Sequence, residues 1–118
     1  MKHIKIFHNN RCSKSRQALA IANQLSNNVQ VIDYMNCRVL KSELKQVLKE
    51  LKMTPEDLLR KNESDYKEHV KGKNLNNDQM IDLMLEYPKL IERPIVICKG
   101  RAIVARLPEM VNGFLADQ

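Results

Sequence analysis

The chain has 118 residues, 43% of them hydrophobic and 29% charged, a balance that fits a folded domain and excludes a disordered tail. The formal net charge is +6, but aromatics are only 4% and tryptophan is absent, so stacking platforms for nucleic-acid bases are scarce. No apolar run approaches the roughly 20 residues that span a bilayer, and polar residues interrupt "MKHIKIFHNN" before it reaches the length of a signal peptide.

The expectation is one domain covering residues 1–118, cytoplasmic and monomeric, with neither nucleic acid nor membrane as partner. "HIKIF" (3–7) reads as a strand, with Ile4 and Ile6 on one face. Residues 13–25 read as a helix whose inner face carries Ala18, Ile21, Ala22 and Leu25. "VQVIDY" (29–34) is a second strand, and the pair with its intervening helix predicts a parallel β-α-β unit. Residues 40–52 repeat the helical pattern through Leu40, Leu44, Val47, Leu48 and Leu51, with lysines on the solvated side.

"TPEDLLR" opens a further helix, with Thr54 as N-cap, Pro55 in the first turn and Asp57 at the reciprocal capping position. Residues 61–74, "KNESDYKEHVKGKN", read as a polar loop with one helical turn. A helix over 77–87 follows, capped at Asn76 or Asn77 and ended by Pro88, with Met80, Leu83, Met84 and Tyr87 on one side. "RPIVICKGRAIVAR" (93–106) reads as an antiparallel hairpin turning at Lys99-Gly100, and "LPEMVNGFL" as a closing helix. This order, β-α-β, helices, then β-β-α, predicts an α/β fold. The expected form is a thioredoxin-like four-stranded mixed sheet flanked by helices, with a helical insertion between its two halves.

The chemistry concentrates in "HNNRCSKSRQALA" (8–20). Cys12 lies where the first helix begins, and exposed N–H groups with about half a positive charge favour an anion there. A thiol so placed tends toward the thiolate, and Arg11 and Arg16 add positive charge. The same features bind a tetrahedral oxyanion, so the segment reads as a nucleophilic thiolate where an oxyanion docks. His8 is available as a neighbouring base or as a packing residue. A tyrosine-phosphatase cradle is disfavoured, because the arginine returns four residues after the cysteine instead of five.

Cys12, Cys37 and Cys98 form no C-x-x-C pair, and with three scattered histidines they make no metal signature. No metal and no tightly bound cofactor are expected. Cys98, in a predicted strand beside Ile97, reads as a core residue.

The segment 8–20 resembles the active-site motif of the glutaredoxin-linked arsenate reductases. "LLRKNE" (58–63), "ERPIV" (92–96) and "ARLPE" (105–109) resemble that family's later motifs in the same order, so the likeness covers about residues 3 to 115. The resemblance implies reduction of arsenate to arsenite. Cys12 would attack arsenate as water leaves, while Arg60, Arg93 and Arg106 bind the oxyanion, with His8, Ser15, Arg16 and Pro94 in support. Glutathione would then attack the arsenic adduct as co-substrate, and glutaredoxin would clear the mixed disulfide. The thioredoxin-like resemblance also implies a cis bond between Arg93 and Pro94. Asn10 stands where the family usually has proline.

Two other readings compete. One is a transcriptional regulator like the Spx proteins, which sense oxidation through C-x-x-C; Ser15 occupies the second position here and removes that switch. The other is a monothiol glutathione-dependent oxidoreductase, which needs Cys12 but not the three arginines together.

Overall fold

The computed structural model describes residues 3–116. The chain divides into two compact units, one formed by residues up to 37 together with those from 93 onward, the other by Arg38–Glu92.

The first unit holds a four-stranded sheet built from β1 (His3–Phe7), β2 (Asn28–Ile32), β3 (Ile95–Cys98) and β4 (Arg101–Val104). The strand order is β2-β1-β3-β4. β1 runs parallel to β2 with Phe7 opposite Ile32, and antiparallel to β3 with Phe7 opposite Ile95. β3 pairs antiparallel with β4, Ile95 opposite Val104. β1 is therefore central, and its alternation puts Ile4 and Ile6 inward, fully buried.

That inner face is covered by α1 (Ser13–Leu25) and α6 (Met110–Ala116). Ile4, Ile6, Val96 and Cys98 of the sheet cluster with Ala18 and Ala22 of α1 and with Val111, Phe114 and Leu115 of α6. Alanine at the two central α1 positions lets the helix backbone approach the sheet. Each buried Ile or Phe in this cluster contributes about 1.5–3 kcal/mol, so together they dominate the unit's stability. The arrangement is the thioredoxin-like one expected from the element order.

The hairpin turns as predicted. Lys99 (φ 52°) and Gly100 (φ 75°) both adopt the left-handed conformation that a two-residue turn of this twist requires. The bond between Arg93 and Pro94 is cis.

The second unit is helical, with α2 (Lys41–Leu51), α3 (Pro55–Leu58), α4 (Ser64–His69), α5 (Asn77–Glu86) and a 3-10 turn at Pro88–Leu90. Its caps follow from local chemistry. Thr54 Oγ1 accepts the Asp57 N–H at 3.3 Å while Asp57 Oδ2 accepts the Thr54 N–H at 3.2 Å. Asn76 and Gln79 exchange the same pair of bonds at 2.8 and 2.9 Å. Lys41 of α2 donates to Asp82 of α5 at 2.9 Å, and that hydrogen bond, with the charge of Asp78, raises the lysine's pKa. A single bridge joins Leu59 to Ile91, with Arg60 N–H donating to Leu90 O at 2.7 Å and Glu92 N–H to Leu58 O at 2.9 Å.

Several sequence expectations shift. β2 ends at Ile32, not Tyr34, because the Tyr34 N–H turns back to Ile32 O and Asp33 O takes the Asn36 and Cys37 N–H groups into a turn. Leu25 is 50% exposed at the last turn of α1, while Ser15 is fully buried and shares the inner face with Ala18 and Ala22. Leu40 precedes α2 and is exposed. In α5 the buried pair is Ile81 and Met84, not the wider stripe through Met80 and Leu83. Tyr87 instead stacks on His69 at 4.2 Å. The loop at 61–74 contains α4, two turns instead of one. Among the described residues, no helix is long and apolar enough to cross a membrane.

Candidate active site

Register alone assembles one end of the sheet. β1 leaves at Phe7 into residues 8–12, β3 enters at Ile95 just after Arg93 and Pro94, and β4 leaves at Val104 toward Arg106. The ladder continues past the strands here, His8 N–H donating to Ile32 O and Ala105 N–H to Pro94 O, both at 2.9 Å. Cys12, Arg93, Pro94 and Arg106 thus come from segments that meet at the same sheet end, although up to 94 positions separate them in sequence.

Cys12 is the N-cap of α1, with extended backbone (φ −93°, ψ 120°), and its side chain is half-buried. It makes no capping hydrogen bond, and no acidic residue occupies the first turn. The sulfur therefore stands at the positive end of a helix whose first N–H groups have no competing carboxylate.

The loop before it is braced internally. Asn9 O accepts the Cys12 N–H at 3.0 Å, and Asn9 Oδ1 accepts the Arg11 N–H at 3.0 Å. Ser15 Oγ accepts the Asn9 N–H at 3.0 Å and lies 2.7 Å from His8 Nδ1. Arg16 Nη1 donates to Asn10 O at 2.8 Å. Beyond the positive charge it adds, Arg16 therefore fastens the loop backbone. Asn9 belongs to the site although it was not among the predicted site residues. An Asn three residues before the cysteine, able to form an Asx turn, was the available signal.

Arg93 is the electrostatic anomaly. Its Nε and Nη1 are buried and have no hydrogen-bond partner among the described residues. Buried guanidinium donors are ordinarily paired, since each unsatisfied group costs free energy. Unspent cationic donors at the sheet end that carries Cys12 offer an oxyanion both charge and hydrogen bonds.

The remaining predicted residues behave differently. Arg106 is exposed on the segment that follows β4. Arg60 lies in the second unit, just past α3, where it pairs with Glu63 at 2.7 Å and with Glu92 at 4.0 Å. Cys37 is exposed, and Cys98 is buried in the core cluster as expected.

A profile of the ArsC family matches residues 7–114. The arsenate reductase of Neisseria meningitidis is 37% identical over 117 residues, covering 98% of this chain and 100% of the relative. The uncharacterized protein YfgD of Escherichia coli is 38% identical over 112 residues, covering 93% and 94%. The solved structure of an arsenate reductase from Vibrio cholerae superposes with a TM-score of 0.88 at 38% identity, covering 95% of this chain and 97% of that one. By the extent of the profile match and by relatives of nearly equal length, the chain belongs to the ArsC family.

Proposed function

We propose that this protein reduces arsenate to arsenite, with Cys12 as nucleophile and glutathione and glutaredoxin as the source of electrons. The observation that carries the reading is the orphaned Arg93 guanidinium at the sheet end that also bears Cys12. Relatives of the same length named arsenate reductase support it.

The Cys12 thiolate attacks arsenic, a sulfur–arsenic bond forms, and one arsenate oxygen leaves as water after protonation. Arg93 donates to the oxyanion and offsets the charge that builds as sulfur adds. Arg106, on the neighbouring segment, has the same task. Glutathione then attacks the adduct at sulfur. A sulfur–sulfur bond forms, and the sulfur–arsenic pair stays with arsenic, which departs two electrons richer as arsenite. Glutaredoxin reduces the mixed disulfide on Cys12 and takes the glutathione moiety. Ser15 stands at the second position of the C-x-x-C spacing, so the second thiol comes from outside or from distant Cys37 or Cys98, and glutathione is the source proposed. The family likeness assigns oxyanion binding to Arg60 as well, and its ion pairs with Glu63 and Glu92 make it the arginine most in need of direct test.

The test is NADPH consumption coupled through glutathione reductase, glutathione and glutaredoxin. Arsenate-dependent turnover that vanishes in Cys12→Ser is expected. A rate unaffected by arsenate would remove the proposal, and turnover of glutathione mixed disulfides alone would favour the monothiol oxidoreductase.

A further inference from the structure

We propose that Ser15 is a positioning residue: its hydroxyl selects the His8 tautomer with the proton on Nε2 and, through Asn9, holds the Cys12 turn. The proposal rests on Cys12 being the working thiol, but its first readout does not depend on what Cys12 acts upon.

The argument is one of proton counting in a closed space. Ser15 is fully buried, His8 is 5% exposed and Asn9 is 8% exposed. Ser15 Oγ has two partners, the Asn9 N–H at 3.0 Å and His8 Nδ1 at 2.7 Å. The first uses the oxygen as acceptor. The hydroxyl has one proton, and in a site closed to solvent it must be given to an acceptor. Nδ1 is the acceptor within reach, so Ser15 donates and Nδ1 carries no hydrogen. A neutral ring then holds its hydrogen on Nε2, and that nitrogen faces Asn10 Oδ1 at 3.5 Å, an acceptor. With the opposite tautomer, Nδ1–H would point at an oxygen already taking the Asn9 N–H, and the buried hydroxyl proton would lose its acceptor.

The second half follows the backbone. Asn9 is the residue whose carbonyl accepts the Cys12 N–H. Ser15 therefore reaches back from the first turn of α1 to fasten the residue that fastens the nucleophile. Losing Oγ releases both the ring and the turn. A merely space-filling serine would do neither, and alanine would replace it without consequence.

The experiment uses the full chain with ¹⁵N-labelled histidine. Long-range ¹H–¹⁵N correlation spectra at a pH where His8 is neutral are expected to show Nδ1 unprotonated in the wild type and a mixture of tautomers in Ser15→Ala. Alkylation of Cys12 by iodoacetamide should slow about tenfold in Ser15→Ala, corresponding to about 1.4 kcal/mol, the scale of one net hydrogen bond. Ser15→Thr, which restores the oxygen, should recover the tautomer and most of the rate. A wild-type spectrum with the proton on Nδ1 would overturn the proposal, as would a folded Ser15→Ala with unchanged tautomer and alkylation rate. If Ser15→Ala does not fold, the wild-type spectrum decides by itself. A protein that fails to reduce arsenate but shows these spectral and alkylation changes would refute the proposed function and leave this inference standing.

Discussion

Replacing Arg93 by methionine gives opposite signs for stability and for ligand response. The arginine holds two buried nitrogens, Nε and Nη1, without partners. Each such group costs about 1–3 kcal/mol. Since the side chain as a whole is only half-buried, the low end applies, about 2 kcal/mol for the pair. Methionine keeps the stem's packing and removes both donors. We expect Arg93→Met to be more stable than wild type in anion-free buffer by about 1–2 kcal/mol, allowing for lost packing of the guanidinium. At roughly 4 °C per kcal/mol for a chain of this size, the melting temperature should rise by about 4–8 °C. Wild type should recover the difference when an oxyanion binds these donors, gaining about 2.7 kcal/mol at one hundred times the dissociation constant. The assay is differential scanning fluorimetry of both proteins against increasing phosphate, sulfate and arsenate. Arg93→Lys should behave like the methionine variant in ligand response and lose activity, since lysine keeps the charge but not the fork. If Arg93→Met melts lower than wild type and still gains the same stability from oxyanions, the orphaned donors are not an anion site.

Two of the cysteines separate cleanly: Cys12→Ser should abolish turnover, while Cys37→Ser, at an exposed position, should retain most of it in the coupled assay. Equal loss in Cys37→Ser would mean an internal resolving thiol in place of glutathione. Gly100→Ala should cost about 1 kcal/mol in urea unfolding. The position has φ 75° and an added methyl would meet nothing within 4 Å, so the cost is backbone strain alone; no loss would mean the turn relaxes. Asn76→Ala removes the acceptor of the 2.8 Å bond from Gln79 N–H and should cost about 1 kcal/mol, recovered largely by Asn76→Ser.

The features legible in the sequence are those decided within a few residues. The caps at Thr54 and Asn76 need only a side-chain oxygen and an N–H three positions on. The turn at Lys99-Gly100 needs only two residues at positive φ. β1 and α1 announce themselves by period, and Cys12 is at the α1 start because the helix pattern begins directly after it. The family motifs carried the choice of Arg60, Arg93 and Arg106; their local context did not. What only the tertiary structure decided is how far each pattern extends and who partners whom. β2 stops where β1 stops, and Leu25 is exposed because the core ends before it does. Whether a polar side chain is satisfied depends on every neighbour that packing brings up, not on its own segment. Hence no local rule could foresee that Ser15 would be buried against His8 and Asn9 while Arg93 would be left with two donors unspent.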